Sequence, residues 1–182
     1  MKNLLILSLL LCGSFSVWGQ EPYQKNQTYT YAEATEQYKS LDSTYADCKY
    51  YEFGNSDYGH PVSLFVINKG GIEVEGLENK GRILINNAIH PGEPCGVDAC
   101  IKLAKELLAE NKVPENVVIG IIPIYNVGGA HNRNCCSRAN QNGPEEYGFR
   151  GNAKNLDLNR DFIKADSKNT LAFYKIFHRL KP

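Results

Sequence analysis

The pattern of hydrophobic positions divides this chain of 182 residues into short buried strands and amphipathic helices. Val62-Ser63-Leu64-Phe65-Val66-Ile67-Asn68 reads as a strand, closed by the turn signal Lys69-Gly70-Gly71. Arg82 to Ala88 (RILINNA) is a second strand and Val117 to Ile124 (VVIGIIPI) a third. The last is apolar almost throughout, as a strand covered on both faces should be. Between them Val97, Ile101, Ala104 and Leu108 recur on one helical stripe, which predicts a helix from about Pro94 to Asn111. Pro94 suits the first helical position. Strand, helix, strand in that order implies a right-handed crossover and an α/β sheet. Helices are also expected over Thr30 to Tyr45 and from Ser167 to Lys181, the latter burying Phe173, Ile176, Phe177 and Leu180. Gly128 to Gly151 reads as a long irregular stretch rich in Asn, Gly and Arg, and a loop of that length inside a compact domain is usually functional.

The first 19 residues belong to a different pattern. Lys2 is followed by an apolar run from Leu4 to Leu11 broken only by Ser8, and Val17-Trp18-Gly19 ends on a small residue. This is the form of a secretory signal peptide, with cleavage expected after Gly19 or Gln20. A membrane anchor needs roughly 20 apolar residues, more than twice this run. The expected organisation is therefore a signal peptide over 1–19, an N-terminal helical extension over 20–50 and one α/β domain over 51–182. The product is expected to be exported, periplasmic or extracellular, with no membrane anchor in its mature form.

Charge narrows the partners. Twenty Lys and Arg balance twenty Asp and Glu, without a basic run, so the footprint of nucleic-acid binding is missing. A composition 42% hydrophobic and 22% charged is that of a globular protein. Export permits disulfides. Beyond Cys12, however, the cysteines are Cys48, Cys95, Cys100, Cys135 and Cys136, an odd set with no metal-site spacing. Cys95 and Cys100, five apart on a helix, point in different directions. These cysteines are read as structural or incidental, with no pairing assigned.

Two segments carry candidate chemistry. His90-Pro91-Gly92-Glu93 lies between the second strand and the following helix, and strand ends of α/β sheets are where ligands bind. Pro and Gly make a tight turn there, letting an imidazole and a carboxylate converge on one ion. His and Glu with a second His form a catalytic zinc set that leaves a position for water. Alone, the pattern fits a turn without metal equally well. The second segment is Asn155-Leu156-Asp157-Leu158-Asn159-Arg160-Asp161-Phe162, preceded by Phe149-Arg150-Gly151. Arginine forks with an asparagine suit recognition of a carboxylate. Alone, this stretch is more simply an ordinary polar loop.

Together, and in this order, the two segments resemble the zinc carboxypeptidase family, the carboxypeptidase A-like metallopeptidases, from about Tyr51 onward. His90-Pro-Gly-Glu93 is similar to that family's first zinc-ligand motif. Pro123-Ile-Tyr-Asn126-Val-Gly-Gly129 is similar to its Pro-x-x-Asn-x-Asp-Gly turn, with Gly128 where Asp is usual. Asn140-Gln-Asn-Gly-Pro-Glu-Glu-Tyr-Gly-Phe-Arg150 looks like an exported bacterial branch. The resemblance implies a mixed-sheet α/β/α domain, of which this chain would be the N-terminal part. It implies one zinc ion on His90 and Glu93, with Asp157 orienting His90. It also implies that Arg150 polarises the scissile carbonyl, and that Asn159 and Arg160 grip the terminal carboxylate of a peptide. The implied activity is removal of C-terminal residues from peptides with a free C-terminal carboxylate.

The family's third zinc ligand, a histidine, and its glutamate general base have no matching position here. His178 reads as a surface residue of a helix, His131 as a loop residue near the cleft and His60 as a turn residue. Little or no activity is therefore expected of these 182 residues alone. Two alternatives stand beside the main reading: a zinc-dependent N-acyl amino acid deacylase, and a non-catalytic protein that binds peptide carboxylates, toward which Gly128 is a slight hint.

Overall fold

A computed structural model describes residues 20–71, 79–139 and 141–182. The expected signal peptide lies outside the described residues. Four strands, β1 (Cys48–Asn55), β2 (Pro61–Ile67), β3 (Gly81–Asn86) and β4 (Val117–Ile122), form one sheet in the order β1-β2-β4-β3. β3 and β4 are parallel, joined by the helix α2 (Cys95–Ala109), whereas β2 runs antiparallel to both β1 and β4. The sheet is mixed, as expected.

Helices cover both faces of this sheet, and β2 shows how. Tyr38, on α1 (Tyr31–Thr44), packs its ring 4.7 Å from Phe65. Such an aromatic pair adds about 0.5–1.5 kcal/mol beyond its buried area. On the neighbouring β4, a Cβ at Gly120 would lie 2.5 Å from Leu180 of α4 (Lys168–Leu180) and 3.2 Å from Leu64. Leu64 and Phe65 are consecutive on β2 and point to opposite faces. α1 and α4 therefore sandwich the sheet, and Gly120 is a glycine because Leu180 occupies the space of its side chain. α2 packs beside α1. Its buried face includes Val97, Ile101, Ala104 and Leu108, the expected stripe.

The first helix, expected within an N-terminal extension, shares the core through Ala34, Tyr38 and Leu41. Its start is a capping box: Thr30 accepts from the Glu33 amide, and the Glu33 carboxylate accepts from the Thr30 amide. The segment before it is fastened to α2, with Thr28 donating to Asp98 and Lys105 paired to Glu21 at 2.7 Å.

Several local expectations change. β1 is a strand that the pattern alone did not predict, because only Cys48 and Tyr50 of its eight residues are buried. α4 buries Asn169, Thr170, Ala172, Ile176 and Leu180, so its inward stripe is rotated by polar residues in its first turn and Phe177 is exposed. The stretch from Gly128 is not irregular throughout, since α3 spans Val127–His131. β4 ends at Ile122, ahead of Pro123, which has no amide to donate to a ladder. Cys135 and Cys136 are disulfide-bonded, Cys48 and Cys100 are buried thiols, and Cys95 is an exposed one. Among the described residues no helix is long and apolar enough to cross a membrane.

Candidate metal and carboxylate site

The site begins where the parallel pair β3–β4 runs out. Past β3, the Asn87 amide still donates to Ile122, and the Tyr125 and Asn126 amides donate back to Asn87 and Ala88. Ala88 then turns into the left-handed region, with φ +53°, and throws the chain off the sheet. The Glu93 amide donates to the His90 carbonyl at 2.8 Å, closing a tight turn over His90-Pro91-Gly92-Glu93. That turn brings His90 Nδ1 within 3.5 Å of Glu93 Oε1.

The other ring nitrogen is already engaged. His90 Nε2 lies 2.9 Å from Asp157 Oδ1. In the tautomer that donates from Nε2 to the carboxylate, Nδ1 would present its lone pair toward Glu93. Two acceptors converging in this way are stabilised by a cation between them, and an imidazole oriented by a carboxylate on its far nitrogen is the usual support of a metal ligand. His90 and Glu93 therefore fit a zinc ion by the chemistry and direction of their donors. Among the described residues no group of three or more His, Cys, Asp or Glu is arranged to hold a metal.

Asp157 is the junction of the site. Its Oδ2 accepts from Arg150 Nε at 3.2 Å and Nη2 at 2.9 Å, while Oδ1 also accepts from the Asn159 amide at 3.0 Å. Burial pushes its carboxyl upward, but the bonds from His90, Arg150 and Asn159 outweigh it and hold the pKa at about 2. Asp157 is thus a permanent anion that fixes His90 and Arg150 together. Asn159 and Arg160 lie exposed on the 3-10 turn Leu158–Arg160 that Asp157 caps, with Arg160 Nη1 donating to the Asn159 carbonyl. The fold thus clusters His90, Glu93, Asp157 and Arg150. It leaves Asn159 and Arg160 one turn away with their side chains in solvent.

Two residues of the site had no role assigned from sequence. Asn126 is fully buried, and its amide donates to the Ile89 and Arg150 carbonyls while its oxygen accepts from the Gly129 amide. It therefore ties the β3 exit, the end of the long loop and α3 to one side chain. Arg138, on that long loop, reaches Glu93 Oε1 with Nη1 at 2.7 Å. The only sequence signal for Asn126 was its place in the motif turn, and Arg138 had none.

Gly128 also receives a physical reason. A Cβ there would lie 2.6 Å from the Ala153 amide nitrogen and 2.9 Å from its Cβ. The strand of loop after Gly151 occupies the volume an aspartate would need, so packing alone accounts for the glycine. The three histidines set aside from metal binding are elsewhere. His178 is exposed on α4. His131 is exposed at the end of α3, stacked on Tyr58 at 4.4 Å and 4.9 Å from His60. Burial and the neighbouring His60 both lower the His131 pKa.

The zinc carboxypeptidase model (Peptidase_M14) matches residues 34–175 of the sequence. Among curated proteins none matches it. Among solved structures, the chain is similar to carboxypeptidase A from Helicoverpa armigera, at 15% identity and a TM-score of 0.65, with 84% of this chain covering 42% of that one. A metallo-carboxypeptidase from Burkholderia cenocepacia gives 20% identity and a TM-score of 0.62, over 83% of this chain and 38% of that one. One from Pseudomonas aeruginosa, in complex with (2-guanidinoethylmercapto)succinic acid, gives 16% and 0.62, over 84% and 37%. The chain spans less than half the length of each of these structures.

Proposed function

Because the chain belongs to the zinc carboxypeptidase family, we propose that it carries part of the catalytic apparatus of an exported metallocarboxypeptidase that removes C-terminal residues from peptides. His90 and Glu93 hold one zinc ion in this reading, and Asp157 orients His90. The single observation that carries it is the pairing of His90 Nε2 with Asp157 while Nδ1 faces Glu93.

Zinc at this position would polarise a peptide carbonyl and lower the pKa of a bound water. The chain's own residues supply the rest. Arg150 spends Nε and Nη2 on Asp157, which aims its planar fork and leaves Nη1 to donate to a developing oxyanion, the kind of preorganised donor on which such catalysis depends. Asn159 and Arg160 take the substrate's terminal carboxylate, one as a neutral donor and one as a charged fork. Gripping that carboxylate fixes the register of the peptide and makes the reaction an exopeptidase cleavage. His90 and Glu93 are expected to bind zinc in this reading.

The test is the zinc content of the chain after dialysis against buffered zinc, compared with His90→Ala and Glu93→Ala. One zinc per chain, lost in both variants, is the expected result. Zinc retained by His90→Ala would place the metal elsewhere and refute the assignment. Should turnover be detectable, a blocked dipeptide is expected to be cleaved in preference to an N-acyl amino acid, the reverse order identifying a deacylase.

A further inference from the structure

The two proposed zinc ligands are held by partners of opposite charge. His90 is oriented by an anion, Asp157, which leaves Nδ1 open. Glu93 is instead paired with a cation, Arg138 Nη1, at 2.7 Å from Oε1. That oxygen is the same one that faces His90 Nδ1 at 3.5 Å. A metal ion taken up between His90 and Glu93 must therefore share Oε1 with a guanidinium or displace it.

Arg138 is placed there by the fold. Its amide donates to the hydroxyl of Tyr147, and that hydroxyl lies 3.5 Å from the Arg138 carbonyl. Tyr147 is fully buried and exchanges both backbone hydrogen bonds with Asn134, so this part of the loop is pinned at two points. The Arg138 side chain then crosses directly over Gly92. A Cβ at Gly92 would lie 2.7 Å from Arg138 Cδ and 3.0 Å from the Gly148 carbonyl. Gly92 is not in the left-handed region, so the crossing explains the glycine and conformation does not. The tight turn that joins His90 to Glu93 is thus also the channel through which Arg138 reaches Glu93.

Building on the zinc assignment above, we propose that Arg138 is an internal stand-in cation: it neutralises and positions Glu93 in the metal-free protein and sets the zinc affinity of the site by competing for that carboxylate. A half-exposed ion pair is weak by itself. Like-charge repulsion between a fixed guanidinium and a dication sharing one oxygen adds to the cost of loading. The two effects together place the site's zinc affinity about tenfold below that of the same ligands without the arginine.

The test is the zinc dissociation constant of the whole chain, measured by competition with a chromogenic chelator. Cys95→Ser is the background, since the Cys95 thiol is exposed and free and would itself take zinc. Arg138→Gln is expected to bind zinc about tenfold more tightly, with Arg138→Lys, which keeps the charge, close to wild type. Circular dichroism of each metal-free variant establishes that the fold is kept, and if Arg138→Gln does not fold, the same comparison is made with Arg138→Met. Unchanged or weaker binding in a folded, neutral variant would overturn the proposal and make Arg138 an orienting group or a bystander. Zinc binding by neither wild type nor variant would overturn the metal assignment itself. Binding by wild type with no gain in the variant would overturn only the role of Arg138.

Discussion

Asp161 offers a sharp test of how the carboxylate-binding turn is held. It directly follows the turn Leu158–Arg160 and is buried. Oδ1 accepts from the Asp166 amide at 2.7 Å, and Oδ2 accepts from the Ser167 amide at 3.0 Å and from the Ser167 and Thr170 hydroxyls at 2.6 Å each. Ser167 in turn caps α4, and Thr170 bonds Tyr125, three residues beyond β4. Asp161→Ala would strand four donors. The two hydroxyls can turn to other acceptors, but the two amides cannot. At about 1–3 kcal/mol for each of these two amides left unsatisfied, the loss should be about 2–6 kcal/mol. Asp161→Asn keeps one oxygen for the three-donor cluster and turns its NH2 toward the Asp166 amide, so it should cost about 1–2 kcal/mol. Urea unfolding at pH 7 followed by circular dichroism measures both. A loss under about 1 kcal/mol for Asp161→Ala would refute the account.

The same residue predicts a pH dependence. Burial pushes its carboxyl upward, but the bonds from Ser167, Thr170 and the two amides outweigh this and lower it below its ordinary 3.8. The native state therefore sheds this proton more readily than the unfolded chain does. Its stabilisation is complete above about pH 5 and fades as the pH falls through the lowered native value. Asp161→Asn should flatten that acid limb, and an unchanged limb would contradict the assignment.

Two further outcomes follow from packing. Gly128→Ala should lose about 1–3 kcal/mol by overpacking, because the added methyl meets the Ala153 backbone 2.6 Å away; a thermal melt matching wild type would show that Ala153 yields freely. Under native conditions a maleimide should label Cys95 quickly, and Cys48 and Cys100 only on unfolding; fast labelling of either buried thiol would contradict the core described here.

Much of this fold was legible because burial writes itself into sequence where both faces of an element are covered. β2 and β4 are apolar nearly throughout, and α2 carries an uninterrupted stripe. β1 was not legible, since an edge strand with two buried side chains leaves too short an alternation to register. α4 was found, but its face was misjudged because Asn169 and Thr170 are buried for their hydrogen bonds, which hydrophobicity does not signal. In the site, the His90–Glu93 turn is local and readable. The His90–Asp157 contact joins positions 67 apart and was reached only by resemblance. The Arg138–Glu93 pair depends on a loop anchored by Tyr147, and nothing near Glu93 in sequence announces it.

The sandwich also constrains how the chain can fold as it is made. α4, residues 168–180, covers the face of β1, β2 and β3, and Arg82 donates to the Leu180 carbonyl across 98 positions. Until that helix has emerged from the ribosome, the face of the sheet bearing Leu64 and Gly120 lacks the cover that α4 gives it, however early its strands are synthesised. Closing such long-range contacts is slow, and an uncovered sheet face invites association with other chains. This sheet should therefore not be stably packed before α4 is translated, and a nascent chain stalled before Lys168 should remain bound by chaperones and open to proteases.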